Sequence, residues 1–290
     1  MNRAIEAMLA RYGRHSASDH VNALREIFQE IALCALWRAK FHEKAAFYGG
    51  TALRVLYGLD RFSEDLDFSL LAPADRFDLD PYCAAVEDEL AAWGFTTTVE
   101  TRKKTAESAV ESAFLKANTR EQLLVIDAGA EIAAAVDGQQ QIKIKIEVDT
   151  DPPPGFSTET KFLLQPIPFS VRVYTASSLF SGKMHALLCR SWQSRVKGRD
   201  WYDFVWYVGR GIELDLAHLE TRMRQSGHYD DAAALDEQAF RRILARKISD
   251  LDIDDARSDV ERFLPDPSVV RIWSREFFAA VAEKIAILRR

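Results

Sequence analysis

Two aspartates one residue apart, Asp65 and Asp67, alternate with Leu66, Phe68 and Leu70 in the stretch FYGGTALRVLYGLDRFSEDLDFSL at 47–70. That alternation predicts a strand with both carboxylates on one face. Their Cα atoms are then about 6.5 Å apart, a gap that side chains close. Paired metal ions in phosphoryl-transfer sites sit ~3.5–4 Å apart, and magnesium takes carboxylate and phosphate oxygens at roughly 2.0–2.1 Å. Two acids on one face can share one such ion or bridge a pair. The spacing alone says little, because it recurs at Asp78/Asp80, Asp149/Asp151, Asp250/Asp252 and Asp252/Asp254. The apolar alternation is what sets Asp65 and Asp67 apart.

A third carboxylate is expected from QIKIKIEVDT at 141–150, where Ile142, Ile144, Ile146 and Val148 face one way and Lys143, Lys145, Glu147 and Asp149 the other. Glu147, central in that strand, is the choice; Asp149 borders a proline-rich turn and is expected to cap it. Gly49, Gly50 and Thr51 end a short apolar strand and begin a helix whose unpaired N–H groups can hold a phosphate. Glycine permits close backbone approach there, although a Gly-Gly-Thr turn also serves as a plain helix start. Lys183 shares a helical stripe with Leu179 and Leu187, so its ammonium must reach a phosphate, reach a nearby acid, or snorkel to solvent. In KGRDWYDF at 197–204, Asp200 and Asp203 have the spacing of a capping box, and Lys197 and Arg199 precede them as candidate phosphate contacts.

The elements that position these residues follow from spacing and breakers. Ser16, Ser18 and Asp19 offer caps to a helix that runs to about His42 through Val21, Leu24, Phe28, Ile31 and Ala35. KAAFYGG reads as a short strand and TALRVLYG as a short helix closed by Gly58. Asp80 caps and Pro81 opens a further helix that Gly94 ends. Strands follow near 95–101 and 112–118, then 119–136, ambiguous with a helical leaning, then the 141–150 strand. After DPPPG a strand resumes at FSVRVYT. From Ser177 the chain reads as helix: Ser178 caps LFSGKMHALLCR, Asp200 caps WYDFVWYV, and amphipathic segments cover 239–248, 255–263 and 270–288. Mixed α/β first and all-α afterwards places a boundary near residue 175, giving lobes 1–175 and 176–290.

Bulk properties narrow the function classes. The chain has 290 residues, a net charge of −6 and three widely spaced cysteines. An acidic chain does not coat nucleic acid nonspecifically, although Arg190, Arg195, Lys197 and Arg199 form a local basic cluster. Cys34, Cys83 and Cys189 are expected to be buried and reduced. Six scattered histidines make a histidine-based zinc site improbable, so any metal is expected on oxygen ligands. The N-terminus lacks the pattern of a signal peptide, and the apolar run at 31–37 is far shorter than the ~20 residues of a membrane helix. A soluble, cytoplasmic protein is expected.

The motifs together resemble the AbiEii/AbiGii family of abortive-infection, nucleotidyltransferase-like toxins. The likeness is carried, in the family's order, by the 47–70 stretch, KIKIEVD, Lys183 within SGKMHALL, and KGRDWYDF. It spans about residues 19–208, and its first motif is the specific one. The resemblance implies an α+β, polymerase-β-like nucleotidyltransferase fold: a mixed sheet flanked by helices, followed by an all-α C-terminal lobe. It implies Gly50 and Thr51, beside Gly49, at the nucleotide phosphates, and Asp65, Asp67 and Glu147 as the acids around magnesium or manganese. It implies Lys183 on phosphate, Asp203 as the acid of the last motif and Asp200 beside it, with Arg199 toward the nucleotide. Gly-Gly-Thr stands where the wider superfamily has Gly-Ser. The implied activity is transfer of a nucleoside monophosphate from a nucleoside triphosphate to an acceptor, with transfer RNA the acceptor in some members and an antitoxin as partner. A metal-dependent nuclease, a non-catalytic triphosphate-binding module and transfer to a protein hydroxyl are the rival readings.

Overall fold

A computed structural model of the chain describes residues 3–13, 16–102, 110–119, 121–122, 134, 136–190 and 196–289. Most of the ambiguous 119–136 segment, and Arg195, lie outside them. Helices α1 (Arg3–Leu9) and α2 (Ala17–Arg38) come first. The Ser16 hydroxyl accepts from the Asp19 amide and the Asp19 carboxylate from the Ser16 amide, a complete capping box. The helix stops four residues before the expected His42, because Lys40 turns left-handed with φ 59°. Strand β1 (Ala45–Tyr48) runs into α3 (Gly49–Ala52), which continues as one π-helical turn over Leu53–Tyr57 and closes at Gly58 with φ 79°.

Strand β2 (Leu66–Leu70) is followed by α4 (Asp80–Ala92). Asp80 lies inside α4 rather than at its cap; the Asp78 carboxylate accepts the Asp80 amide and so takes the capping part expected of Asp80. Strands β3 (Thr98–Arg102), β4 (Val110–Asn118), β5 (Gln141–Asp149), β6 (Thr158–Leu163) and β7 (Phe169–Tyr174) complete a seven-stranded mixed sheet of order β3-β4-β5-β2-β1-β7-β6. β6 escaped the sequence reading because it is an edge strand, exposed at every second residue, with Phe162 71% exposed.

Leu66, Phe68, Ile142, Ile144, Ile146 and Val148 are buried, and the intervening positions of β2 and β5 are half-buried or exposed on the other face, except Ser69. Phe41 and Phe47 flank Phe68 with ring centroids 4.9 and 5.1 Å away, and Phe28 packs on Phe95 at 4.8 Å. The apolar face of the sheet is thus a packed layer, which leaves the opposite face for polar work.

The remaining helices are α5 (Ala176–Cys189), α6 (Gly198–Gly209), α7 (Leu216–Gln225), α8 (Glu237–Ser249), α9 (Ile253–Glu261) and α10 (Arg275–Glu283). Two caps differ from expectation. Thr175, not Ser178, caps α5, and α6 begins at Gly198 with Lys197 as its first flanking residue, so Asp200 sits within the helix. The expected 270–288 helix is shortened to α10, because the Ser274 hydroxyl accepts the Phe277 amide and starts the helix there. The chain divides into two compact units, one of residues 1–56, 64–152 and 160–173, the other of 57–63, 153–159 and 174–290. Among the described residues no helix is long and apolar enough to cross a membrane.

Packing requires a glycine at 198, the first residue of α6. A Cβ there would collide with the Ala256 carbonyl oxygen on α9, a backbone atom with little room to yield. Gly198→Ala is therefore expected to lower stability by at least about 2 kcal/mol in denaturant unfolding. Gly209→Ala, where an added Cβ meets nothing within 4 Å, should stay within about 1 kcal/mol of wild type.

Candidate active site

Asp67 sits mid-sheet, and its neighbours are set by strand pairing. β2 runs antiparallel to β1, with Tyr48 opposite Asp67, and parallel to β5, with Glu147 opposite Asp67. Register partners on adjacent strands project on the same side and lie about 4.8 Å apart. Asp65 precedes β2 by one residue. The register thus sets Asp67 beside Glu147, with Asp65 two residues before Asp67, and all three acids are half-buried. Asp149 pairs with Ser69, and its carboxylate accepts the Asp151 amide at 3.0 Å, so it caps the turn as expected.

Lys145, placed on this face by the alternation but not singled out as a site residue, lies two residues before Glu147, and its ammonium is 2.5 Å from the Glu147 carboxylate. It offsets part of the negative charge that three neighbouring carboxylates accumulate. The alternation of β5 already placed it there; only the need for a countercharge would have singled it out.

Gly49 is the residue that lets the acids and the following helix meet. Its φ of 83° suits glycine, and a Cβ would run into the Asp67 carboxylate oxygen. The Thr51 side chain is fully buried, and its hydroxyl donates to the Asp65 backbone carbonyl, tying the start of α3 to the start of β2. The Thr51 hydroxyl is thus engaged with the protein backbone, and Gly49, Gly50 and Thr51 present the first amides of the helix. Arg54, farther along the same turn, anchors it to Glu26 of α2 at 2.6 Å.

Three half-buried oxygen-donor side chains suit a hard divalent cation such as magnesium or manganese. Asp65, Asp67 and Glu147 are the residues that would hold it.

Lys183, Asp200 and Asp203 come together in the helical unit with a fourth residue, Arg61, that sequence reasoning missed. Arg61 grips Asp203 with two bonds of 2.6 Å, both side chains almost fully buried. Lys183 reaches Asp200 at 2.6 Å and Asp203 at 2.8 Å. Arg190 stands 3.7 Å from Asp200, so three cations face two carboxylates. Of the alternatives left open for Lys183, the nearby acid is the partner seen. The capping-box geometry expected of Asp200 and Asp203 is absent: α6 starts two residues earlier, and both carboxylates are committed to ion pairs. Burial alone would raise the Asp200 pKa, but Lys183, Arg190 and Lys197 outweigh it and hold the group below its ordinary 3.8.

Arg199 lays its guanidinium over the Phe263 ring at 4.1 Å. Lys197 is pushed below the usual lysine range by burial and then by Arg190, Arg199 and Lys183, against the opposing pull of Asp200. Like charge therefore concentrates where the sequence showed a basic cluster.

The model of the family described as nucleotidyl transferase AbiEii toxin, type IV toxin–antitoxin system, matches residues 31–282. The chain belongs to the AbiEii family. Its fold is shared with JHP933 from Helicobacter pylori, at TM-score 0.52 and 17% identity over 90% of each chain. A second H. pylori protein, provisionally assigned as a nucleotidyltransferase, matches at TM-score 0.50 and 18% identity over 89% of each chain. No curated protein matches significantly. The α+β architecture of this AbiEii member, with its mixed sheet, is therefore shared with both H. pylori structures.

Two outcomes follow. Gly49→Ala in this AbiEii chain must displace the Asp67 carboxylate and adopt a strained φ costing about 1–2 kcal/mol; the protein should remain folded by circular dichroism while losing any activity that depends on Asp67. Lys183→Met breaks a buried pair and should cost about 3 kcal/mol at neutral pH. Because the folded Asp200 pKa is depressed, its contribution is complete above the ordinary carboxylate value and is lost as pH falls through the lower folded value. Removing Lys183 raises that folded value, so the acid-unfolding midpoint of the variant, followed by fluorescence, should move to higher pH.

Proposed function

We propose that this chain transfers a nucleoside monophosphate from a nucleoside triphosphate to a hydroxyl of an RNA acceptor, with transfer RNA as the acceptor class. The observation that carries the reading is the pairing of Asp67 with Glu147 across β2 and β5, with Asp65 one strand repeat away. Family membership supports the reaction class, and the toxin–antitoxin setting supports a cognate antitoxin as partner.

The acceptor hydroxyl oxygen forms a bond to the α-phosphorus while the bond from that phosphorus to the pyrophosphate oxygen breaks. Magnesium or manganese, when bound by Asp65, Asp67 and Glu147, supplies positive charge against the phosphate oxygens. Glu147 completes the carboxylate set and takes the proton of the attacking hydroxyl. The amides of Gly49, Gly50 and Thr51 would donate to triphosphate oxygens at the start of α3. The resemblance assigns Lys183 to phosphate; within the helical unit its ammonium is held by Asp200 and Asp203. The basic cluster around Lys197 and Arg199 suits RNA phosphates.

The purified chain is incubated with each α-labelled nucleoside triphosphate, magnesium and total RNA, and resolved on a denaturing gel. Label is expected on a band of transfer-RNA size, reduced at least about 1,000-fold by Asp67→Ala. Label on protein would replace RNA with a protein hydroxyl as acceptor. RNA cleavage without nucleotide would favour the nuclease, and triphosphate binding without pyrophosphate release the binding module.

A further inference from the structure

Three side chains far from the carboxylate set in sequence converge in the helical unit: His185, Cys189 and His228, whose ligand atoms all lie within 4.8 Å of one another. His185 and Cys189 are one helical turn apart on α5 and so share a face. His228 reaches them from the end of α7. There Gly227 takes φ 71°, its amide bonds the Arg224 carbonyl at 3.1 Å, and the His228 amide bonds the Met223 carbonyl at 2.8 Å. This is the paired hydrogen-bond pattern of a Schellman cap, so His228 is fixed by helix-terminal geometry.

The Ser226 hydroxyl, at the cap itself, shows where the imidazoles point. His185 Nε2 lies 2.8 Å from its oxygen and His228 Nδ1 3.0 Å, while the hydroxyl also lies 3.2 Å from the Met223 carbonyl, to which it donates. Two ring nitrogens from different helices therefore aim at one point, with a buried thiol beside them.

We infer that His185, Cys189 and His228 form a tetrahedral site for a zinc-class transition-metal ion, with a fourth position open to water or to the Ser226 hydroxyl. Zinc takes thiolate at about 2.3 Å and imidazole nitrogen at about 2.0–2.1 Å, which brings ligand atoms to roughly 3.3–3.8 Å of one another. Rotamer adjustment of about 1 Å closes the observed spacing. Nitrogen and sulfur ligands distinguish this ion from one held on the carboxylate face, where the donors are oxygen. Because the Ser226 hydroxyl gives its proton to the Met223 carbonyl, His185 Nε2 and His228 Nδ1 donate to its oxygen in the metal-free protein, and the ion takes their place as both rings change tautomer and the Cys189 thiol loses its proton. The ion would tie the end of α5 to the cap of α7.

The test is titration of the chelator-treated, reduced full-length protein with cobalt(II), read by absorption. One equivalent is expected to produce a thiolate-to-cobalt charge-transfer band and the intense visible bands of a tetrahedral site, both lost on adding one equivalent of zinc. Cobalt on Asp65, Asp67 and Glu147 has no sulfur ligand and gives no such charge-transfer band, so failure here leaves the carboxylate reading untouched. Cys189→Ser should abolish the charge-transfer band. His228→Asn, at an exposed position, should weaken zinc binding more than about 100-fold, beyond the loss typical of outer-shell changes. Both variants should keep the circular dichroism and the metal-free unfolding temperature of wild type. Absence of the charge-transfer band in the wild type, or its persistence in folded Cys189→Ser, would overturn the inference.

Discussion

The parallel pairing of β2 with β5 is the constraint on which the carboxylate site depends. It places Glu147 beside Asp67, and what fixes it is on the opposite face of the same strands. Ile142, Ile144, Ile146 and Val148 are all buried. A one-residue slip would turn them toward solvent and send Lys143, Lys145 and Glu147 into the apolar layer. Losing four such side chains from the core costs roughly 6–12 kcal/mol, before any penalty for burying charge. That is comparable to the whole stability of a typical domain. The acids are held in place by hydrophobic residues that never meet them.

The helical unit is organised by a different interaction. Arg61, Asp203, Lys183 and Asp200 form buried ion pairs, and such pairs seldom stabilise a protein more than well-packed apolar residues would. Their value is geometric. The two-bonded Arg61–Asp203 contact fixes the 57–63 segment to α6, and Lys183 joins α5 to the same carboxylate.

Much of the sheet was legible because its signals are local. Alternation in LDFSL and QIKIKIEVD gave both strands, and the choice of Glu147 over Asp149 followed from distance to the turn. Helix starts were less legible. Asp80, Ser178 and Asp200 each carry a capping side chain, yet each lies inside its helix, because Asp78 and Thr175 cap α4 and α5 from upstream and α6 starts at Gly198. The need for glycine at 198, set by the Ala256 carbonyl, is invisible to any local window. The π-helical turn after Gly49 and the edge strand β6 also lack a periodic signature.

Partners distant in sequence mark the limit of spacing arguments. Asp203 was singled out, but the arginine that holds it was not, because Arg61 and Asp203 are joined only by the fold. The histidines show the same limit in the other direction. Scatter along the chain argued against a nitrogen-ligand cluster, yet one helical turn sets His185 beside Cys189, and a helix cap on α7 delivers His228 to them. Dispersion in sequence is evidence against a metal site only when all its ligands must come from one loop. In a unit built of packed helices, two ligands from a single turn need just one more from a neighbouring cap, and a left-handed glycine at that cap is enough to aim it.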